Sequence, residues 1–265
     1  MTSAPPTERD LERVRGHLVE LGAGALTMYK GPCFDRRLAS RLRIRGVASV
    51  GAYADLLDRD PEERRKLLSA IAIGVTSFFR NPPAWRRLAQ LLADNPYPGR
   101  LTAWSAGCAT GEETFSIAMV LAGLASRGSI GDWSVLGTDV DERSLAVARA
   151  GDYPARVAAE IEAAGAPPMG EVVAGRFRVD GGLRARVSFR RDDLLAPAAR
   201  LHCELVVCRN VLIYFGPEGQ VRAIRSLVDA ARLGGLVMLG KAELAAADVP
   251  LELVDRRERI YRRVE

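Results

Sequence analysis

The chain has 265 residues, of which 48% are hydrophobic and 27% charged, with 25 glycines and 14 prolines; these proportions suit one large domain with a small companion and exclude collagen-like, coiled-coil and disordered classes. The longest stretches without a charged side chain, Leu67 to Phe79 and Thr114 to Ser126, fall short of the ~18 residues that a membrane span requires, and the polar start MTSAPPTERDLER lacks a secretory apolar core, so a cytoplasmic location without membrane insertion is expected. The net charge of +5 points to an acidic partner, and it is unevenly spread: Arg36, Arg37, Arg41, Arg43 and Arg45 occur with no acid between Arg36 and Ala54.

Residues 1–72 carry helical periodicity and no strand-like alternation. Leu11, Val14 and Leu18 predict a helix over Asp10 to Leu21, and Leu38 with Leu42 predicts one over Phe34 to Arg45. In that second helix Arg37, Arg41 and Arg45 recur at every fourth position beside the apolar stripe, so it is expected to offer a row of cations to a partner. Ser49 to Leu57 and Pro61 to Ile73 complete a small bundle, with Asp60 as a cap before a first-turn proline.

From Arg100 onward, short apolar runs alternate with amphipathic segments, the pattern of an α/β fold with a parallel sheet covered on both faces. Strands are predicted at Leu101 to Ser105, Ser134 to Thr138, Val187 to Arg190, Leu205 to Cys208 and Leu236 to Leu239. Leu251 to Val254 and Arg259 to Val264 read as an edge hairpin. The Gly- and Pro-rich stretch Gly165 to Gly182, with apolar Phe177 to Val179, reads as an inserted turn or small antiparallel ribbon. The expected organisation is a helical unit over 1–72 and an α/β unit over 73–265, the ribbon lying at about 165–186. Cys33, Cys108, Cys203 and Cys208 lack CxxC spacing, and the strand Glu204 to Cys208 separates Cys208 from His202 and Cys203, so no metal is expected.

Chemistry enters at Trp104 to Glu113, WSAGCATGEE, which places a glycine turn between a strand and a helix, where a nucleotide-like ligand can approach the backbone. A dinucleotide pyrophosphate would be repelled there by Glu112 and Glu113. Two carboxylates suit instead the sulfonium and amino cations of S-adenosylmethionine. A plainer alternative is that the glutamates only stabilise the helix N-terminus. Asp139 ends the second strand, where an acid accepts hydrogen bonds from an adenosyl ribose. Asp141 lies beyond the strand end and caps the helix Glu142 to Ala150.

These segments, with Thr76-Ser77-Phe78-Phe79-Arg80, Ser116 to Met119, Gly137 to Asp141, Cys208 to Phe215 and Ile260-Tyr261, resemble the chemotaxis receptor methyltransferases of the CheR type, protein-glutamate O-methyltransferases. The resemblance covers nearly the whole α/β part in the right order, and the Arg-rich helix resembles that family's N-terminal domain. It implies a Rossmann-like S-adenosylmethionine-dependent methyltransferase sheet, S-adenosylhomocysteine as product, and glutamates on the cytoplasmic helical region of chemotaxis receptors as substrate. It also implies roles. Thr76 and Arg80 approach the methyl donor, Gly107 and Glu113 belong to the cofactor loop, Asp139 takes the ribose, Asp193-Leu194 flanks the adenine, Arg209 and Asn210 close the pocket, and Tyr214 lies at its mouth. Arg37, Arg41 and Arg45 become the substrate-docking row. Thr114, Phe115, Asp193 and Lys241 depart from the family's usual residues, and the short ribbon lacks the long loop that could dock a receptor's C-terminal peptide.

A glutamate nucleophile, with a reference pKa of about 4.3, needs no catalytic base, and both histidines, His17 and His202, lie outside the matching segments. The enzyme must align oxygen, methyl and sulfur and exclude water. Charge is neutralised along this reaction, so Arg80 and Tyr214 are expected to position rather than to stabilise charge. The rival reading is a catalytically silent module that binds the adenosyl ligand and docks a signalling partner. Nucleic acid suits less well, because the basic patch lacks interleaved aromatics. A monomer is expected.

Overall fold

The computed structural model describes residues 7–196, 201–245 and 248–265. Helices α1 (Glu8–Glu20), α2 (Gly31–Arg45), α3 (Val50–Arg59) and α4 (Pro61–Ile71) form the N-terminal bundle, with a 3₁₀ turn at Gly24–Met28 between the first two. Its helix starts are set by side-chain oxygens: Thr7, Ser49 and Asp60 accept from the amides of Asp10, Ala52 and Glu63. Gly46, at φ +64°, ends α2 in the left-handed conformation. Val14, Leu18, Phe34, Leu38, Tyr53 and Leu67 fill the centre of the bundle.

The second unit runs α5 (Pro82–Asp94), β1 (Leu101–Ala106), α6 (Glu112–Ala125), β2 (Trp133–Asp139), α7 (Glu142–Ala150), β3 (Asp152–Pro154) and α8 (Arg156–Ala163). It continues β4 (Gly170–Val173), β5 (Arg176–Val179), α9 (Gly181–Arg184), β6 (Val187–Arg191), β7 (Cys203–Cys208), α10 (Pro217–Ala230), β8 (Ala231–Leu239), β9 (Leu251–Asp255) and β10 (Ile260–Arg263). Seven strands form one sheet in the order β6-β2-β1-β7-β8-β10-β9. The first five are parallel, and β10 runs antiparallel between β8 and β9. Alternation sorts the strand residues between two cores: Ala103, Leu205 and Val207 face one apolar cluster, Trp104, Val206 and Cys208 the other.

The inserted ribbon is a hairpin of β4 and β5 joined on its other side by β3, a three-stranded sheet in the order β3-β5-β4. Asp152-Tyr153-Pro154 is too short to show a period of its own, so sequence reading found only the hairpin half. Between β1 and β7 the strand order reverses, and at their carboxyl ends the sheet opens a crevice of the kind in which ligands of α/β sheets sit.

Candidate functional site

The crevice is a cleft with about 830 Å³ of free space, part of it open to solvent. Its floor is the β1–α6 turn. One wall is the 72–80 segment leaving α4, and another is the 3₁₀ turn of the helical unit with Tyr29 behind it. Both units therefore build the site.

Two glycines are required in the floor. Gly107 has φ +71°, and a Cβ there would lie 2.7 Å from Val211 Cγ2. Gly111, at φ +93°, would place one 2.7 Å from the Cβ of Ala148. The turn is pinned from β2: the Ala109 amide donates to Asp139 Oδ2 at 2.9 Å and the Asp141 amide to Oδ1 at 2.9 Å. Burial pushes the Asp139 carboxyl up to about 6, against the pull of those two amides. Asp141 is turned away from the cleft. It caps α7, accepting from the Arg143 amide and the Ser144 hydroxyl, and takes a 2.7 Å hydrogen bond from Ser69 of α4.

Glu113, not Glu112, reaches the cleft. Its Oε1 accepts from Ser105 Oγ at 3.0 Å, and Oε2 lies 3.9 Å from Arg209 Nη1. Burial pushes this carboxyl up to about 7, with Arg209 and Ser105 pulling the other way. Arg209 itself is buried, its guanidinium stacked 5.3 Å from the Trp85 ring centroid, with Nη2 donating to the Arg80 carbonyl at 2.8 Å. Burial lowers its pKa, opposed by Glu113.

Thr76 and Arg80 line the cleft, Arg80 with an exposed side chain. So do Leu194, Asn210 and Tyr214. Asp193, expected beside Leu194 at an adenine pocket, is not among the residues lining the cleft, although both its neighbours are. Its Oδ2 accepts from the Ala25 amide at 2.8 Å and its Oδ1 from the Leu195 amide at 2.9 Å, so the carboxylate ties the helical unit to the sheet, and Asp192 is the acid at the cleft wall. The resemblance placed the pair at Asp193-Leu194, one position along from the acid that lines the cleft.

The arginine row of α2 also differs from expectation. Arg41 is not a docking cation: its side chain is 12% exposed and donates through Nε (3.0 Å) and Nη2 (2.6 Å) to Oε1 of fully buried Glu63 on α4. Arg45 lies 3.4 Å from Glu63 Oε2 and 3.6 Å from Asp60, and Arg37 is half-buried. The row faces α4, because α4 covers the flank of the apolar stripe. Arg36 and Arg43, seven residues apart on the opposite flank, are the exposed cations of this helix with Arg45.

Two further residues carry the site without having been singled out as members of it. Tyr29 lines the cleft from the helical unit. Glu243, buried, accepts from the amides of Asn210 (2.9 Å), Gly240 (2.6 Å) and Ile213 (3.3 Å), and so holds the turn that carries Asn210 at φ +61° and Tyr214. Its signal in sequence was the resemblance alone, in which it stands after Lys241 where the family often has a His-Ser-Glu run, with no role attached. Tyr29 had none beyond its aromatic character.

Arg209 Nε and Nη1 and Asn210 Oδ1 are buried with no hydrogen-bond partner among the described residues. A buried polar atom left unpaired costs ~1–3 kcal/mol, and these are two donors and one acceptor. S-adenosylmethionine carries the complements, a carboxylate and amino groups, while its amino cation matches Glu113 and its ribose hydroxyls match Asp139. The parallel sheet with a glycine turn after its first strand and an acid at the end of its second defines an S-adenosylmethionine-dependent methyltransferase.

The comparisons narrow the class. Residues 74–257 match the family described as CheR methyltransferase, SAM binding domain, and residues 9–72 match its all-alpha domain; the chain belongs to the CheR methyltransferase family. A chemotaxis protein methyltransferase of Listeria monocytogenes is 32% identical over 225 residues, covering 82% of this chain and 83% of that protein. Chemotaxis protein methyltransferase 2 of Pseudomonas aeruginosa is 33% identical over 249 residues, covering 89% of this chain and 87% of its own. A 104.1 kDa protein of the Rhodobacter capsulatus hypE 3′ region is 34% identical over 242 residues, 88% of this chain but 25% of that longer protein.

Proposed function

We propose that this protein is a cytoplasmic, monomeric protein-glutamate O-methyltransferase that forms methyl esters on the helical cytoplasmic region of chemotaxis receptors. The observation that carries the reading is a cleft whose acids match the ligand, Glu113 its cationic end and Asp139 its ribose, and among whose described lining residues there is no histidine. A nucleophile already ionised at neutral pH fits such a site, and a carboxylate is one. Among the described residues no helix is long and apolar enough to cross a membrane.

When bound, S-adenosylmethionine supplies an electrophilic methyl on a sulfonium. Asp139 holds the ribose hydroxyls while keeping the glycine turn in shape, Glu113 faces the cationic end, and Arg209 with Asn210 takes the amino-acid portion. Arg80 and Tyr214, at the cleft opening, orient the incoming carboxylate in line with the methyl. The apolar wall of Ala25, Leu26 and Phe215 keeps water from the anionic nucleophile. Arg36, Arg43 and Arg45 meet the acidic face of the receptor helix.

Incubation with methyl-labelled S-adenosylmethionine and a receptor cytoplasmic fragment tests this. Base-labile label on the fragment is the expected result; base-stable label, or binding of S-adenosylhomocysteine with no transfer to any receptor fragment, would refute it, the latter in favour of the silent module.

A further inference from the structure

Tyr214 sits on a short 3₁₀ turn, Leu212–Tyr214, at an open cleft, so its ring orientation depends on what packs against it. The contacts are aromatic. Tyr29 stacks on Tyr214 with ring centroids 5.8 Å apart at 28°, and meets Phe215 edge-on at 5.1 Å and 87°. The backbones are joined as well. Lys30 N donates to Tyr214 O at 2.8 Å, Gly216 N to Met28 O at 2.9 Å, and Lys30 Nζ to Ile213 O at 2.8 Å, around an antiparallel bridge between Tyr29 and Phe215.

This junction places an aromatic platform from the helical unit directly beneath the ring that the reaction uses, and α2 begins at Gly31, immediately after it. We propose that Tyr29 is a positioning residue for Tyr214, so that the N-terminal helical unit sets the geometry of the methyl-transfer centre as well as docking the substrate. The inference rests on the reading in which Tyr214 touches the incoming carboxylate. A stack supplies what a flexible side chain in a wide cleft lacks: it removes alternative rotamers before substrate arrives, leaving less of that ordering to the reaction itself. The contact needs the face of the Tyr29 ring, not its hydroxyl.

The test is a double-mutant cycle on the full chain with Tyr29→Leu, Tyr29→Phe and Tyr214→Phe. It reads single-turnover methyl transfer, S-adenosylhomocysteine affinity by calorimetry, thermal unfolding and near-ultraviolet circular dichroism. Tyr29→Leu is expected to lower kcat about tenfold with cofactor affinity changed less than about twofold, and Tyr29→Phe to keep at least about half the rate. In the Tyr214→Phe background Tyr29→Leu should cost less than about twofold, since its effect passes through Tyr214. The near-ultraviolet tyrosine signal should fall in both variants through loss of the Tyr29 chromophore, and fall further in Tyr29→Leu, where Tyr214 loses the ring packed against it.

Additive losses in the cycle would overturn the proposal, as would cofactor affinity falling in step with kcat, which would make Tyr29 only part of the cofactor wall. Equal losses in Tyr29→Phe and Tyr29→Leu would assign the effect to the hydroxyl and overturn it too. A full rate in Tyr214→Phe alone would instead overturn the role of Tyr214 on which the proposal stands.

Discussion

Two buried glutamates, one in each unit, meet the cost of burial differently. Glu63 of the helical bundle is fully buried, and its Oε1 takes donors from Arg41 and Tyr53 while Oε2 faces Arg45. Glu113 of the cleft has one hydroxyl donor and an arginine at 3.9 Å. The first arrangement crowds Arg41 and Tyr53 onto Oε1, leaves Oε2 with Arg45 at ion-pair distance and no hydrogen bond of its own, and holds α2 against α4. The second leaves capacity for a cation, and burial has pushed its carboxyl up to about 7 because the compensation is incomplete. A buried carboxylate held between two arginines is architecture; one with a single hydroxyl donor and a distant arginine, beside orphaned donors in a cleft, marks a place for a ligand.

The largest effect should come from removing one arginine of the doubly paired Glu63. Arg41→Ala leaves Glu63 with Tyr53 and a longer contact to Arg45, and breaking a buried pair on one side costs ~3 kcal/mol or more. Chemical denaturation should show that loss, with cofactor affinity unchanged in the protein that remains folded. A loss below about 1 kcal/mol would mean that Tyr53 and Arg45 suffice for Glu63 and that the contrast is weaker than drawn.

Next in size is the acid that serves both turn and ligand. Asp139→Ala should weaken S-adenosylhomocysteine by ~1.5–3 kcal/mol in calorimetry, whereas Asp141→Ala should lower stability through the lost α7 cap and Ser69 bond with affinity kept. If the two substitutions exchanged effects, the ribose role would move to Asp141.

The pH dependence reports on Glu113. With Glu113 near 7, binding a cation to its charged form makes affinity for S-adenosylmethionine rise about tenfold from about pH 6 to about pH 8. The empty protein moves the opposite way. A carboxyl whose folded pKa is raised contributes stability that is fully present below its unfolded value and is lost as pH rises through about 7. Glu113→Gln should therefore flatten the affinity profile and raise the melting temperature of the empty protein at about pH 8; a profile as steep as the wild type would assign the titration to another group.

The smallest effect belongs to the exposed cations. Reversing Arg36 and Arg43 to Glu should raise KM for the receptor fragment a few-fold at low salt, with kcat and unfolding unaltered, because exposed pairs are worth ~0.2–1 kcal/mol each and salt screens them. Normal methylation at low salt would make this flank a solvated surface.

Much of the molecule was legible in sequence. The short apolar runs in Leu101 to Ser105 and Leu205 to Cys208 reflect strands buried on both faces, period 3.6 in Leu11, Val14 and Leu18 reflects a helix with one, and the glycine turn with Asp139 follows from backbone sterics and strand ends. These are local properties, set by neighbours within a few positions. What only the tertiary structure decided depends on which surfaces meet. The row Arg37, Arg41 and Arg45 reads as a free face until α4 brings Glu63 against it. Asp193 reads as a ligand residue until the Ala25 amide of a distant helical turn claims its carboxylate. Tyr29 reads as one more aromatic until its segment pairs with Phe215 across the cleft. Such contacts join residues far apart in the chain, and side-chain periodicity carries no information about a partner that another element supplies.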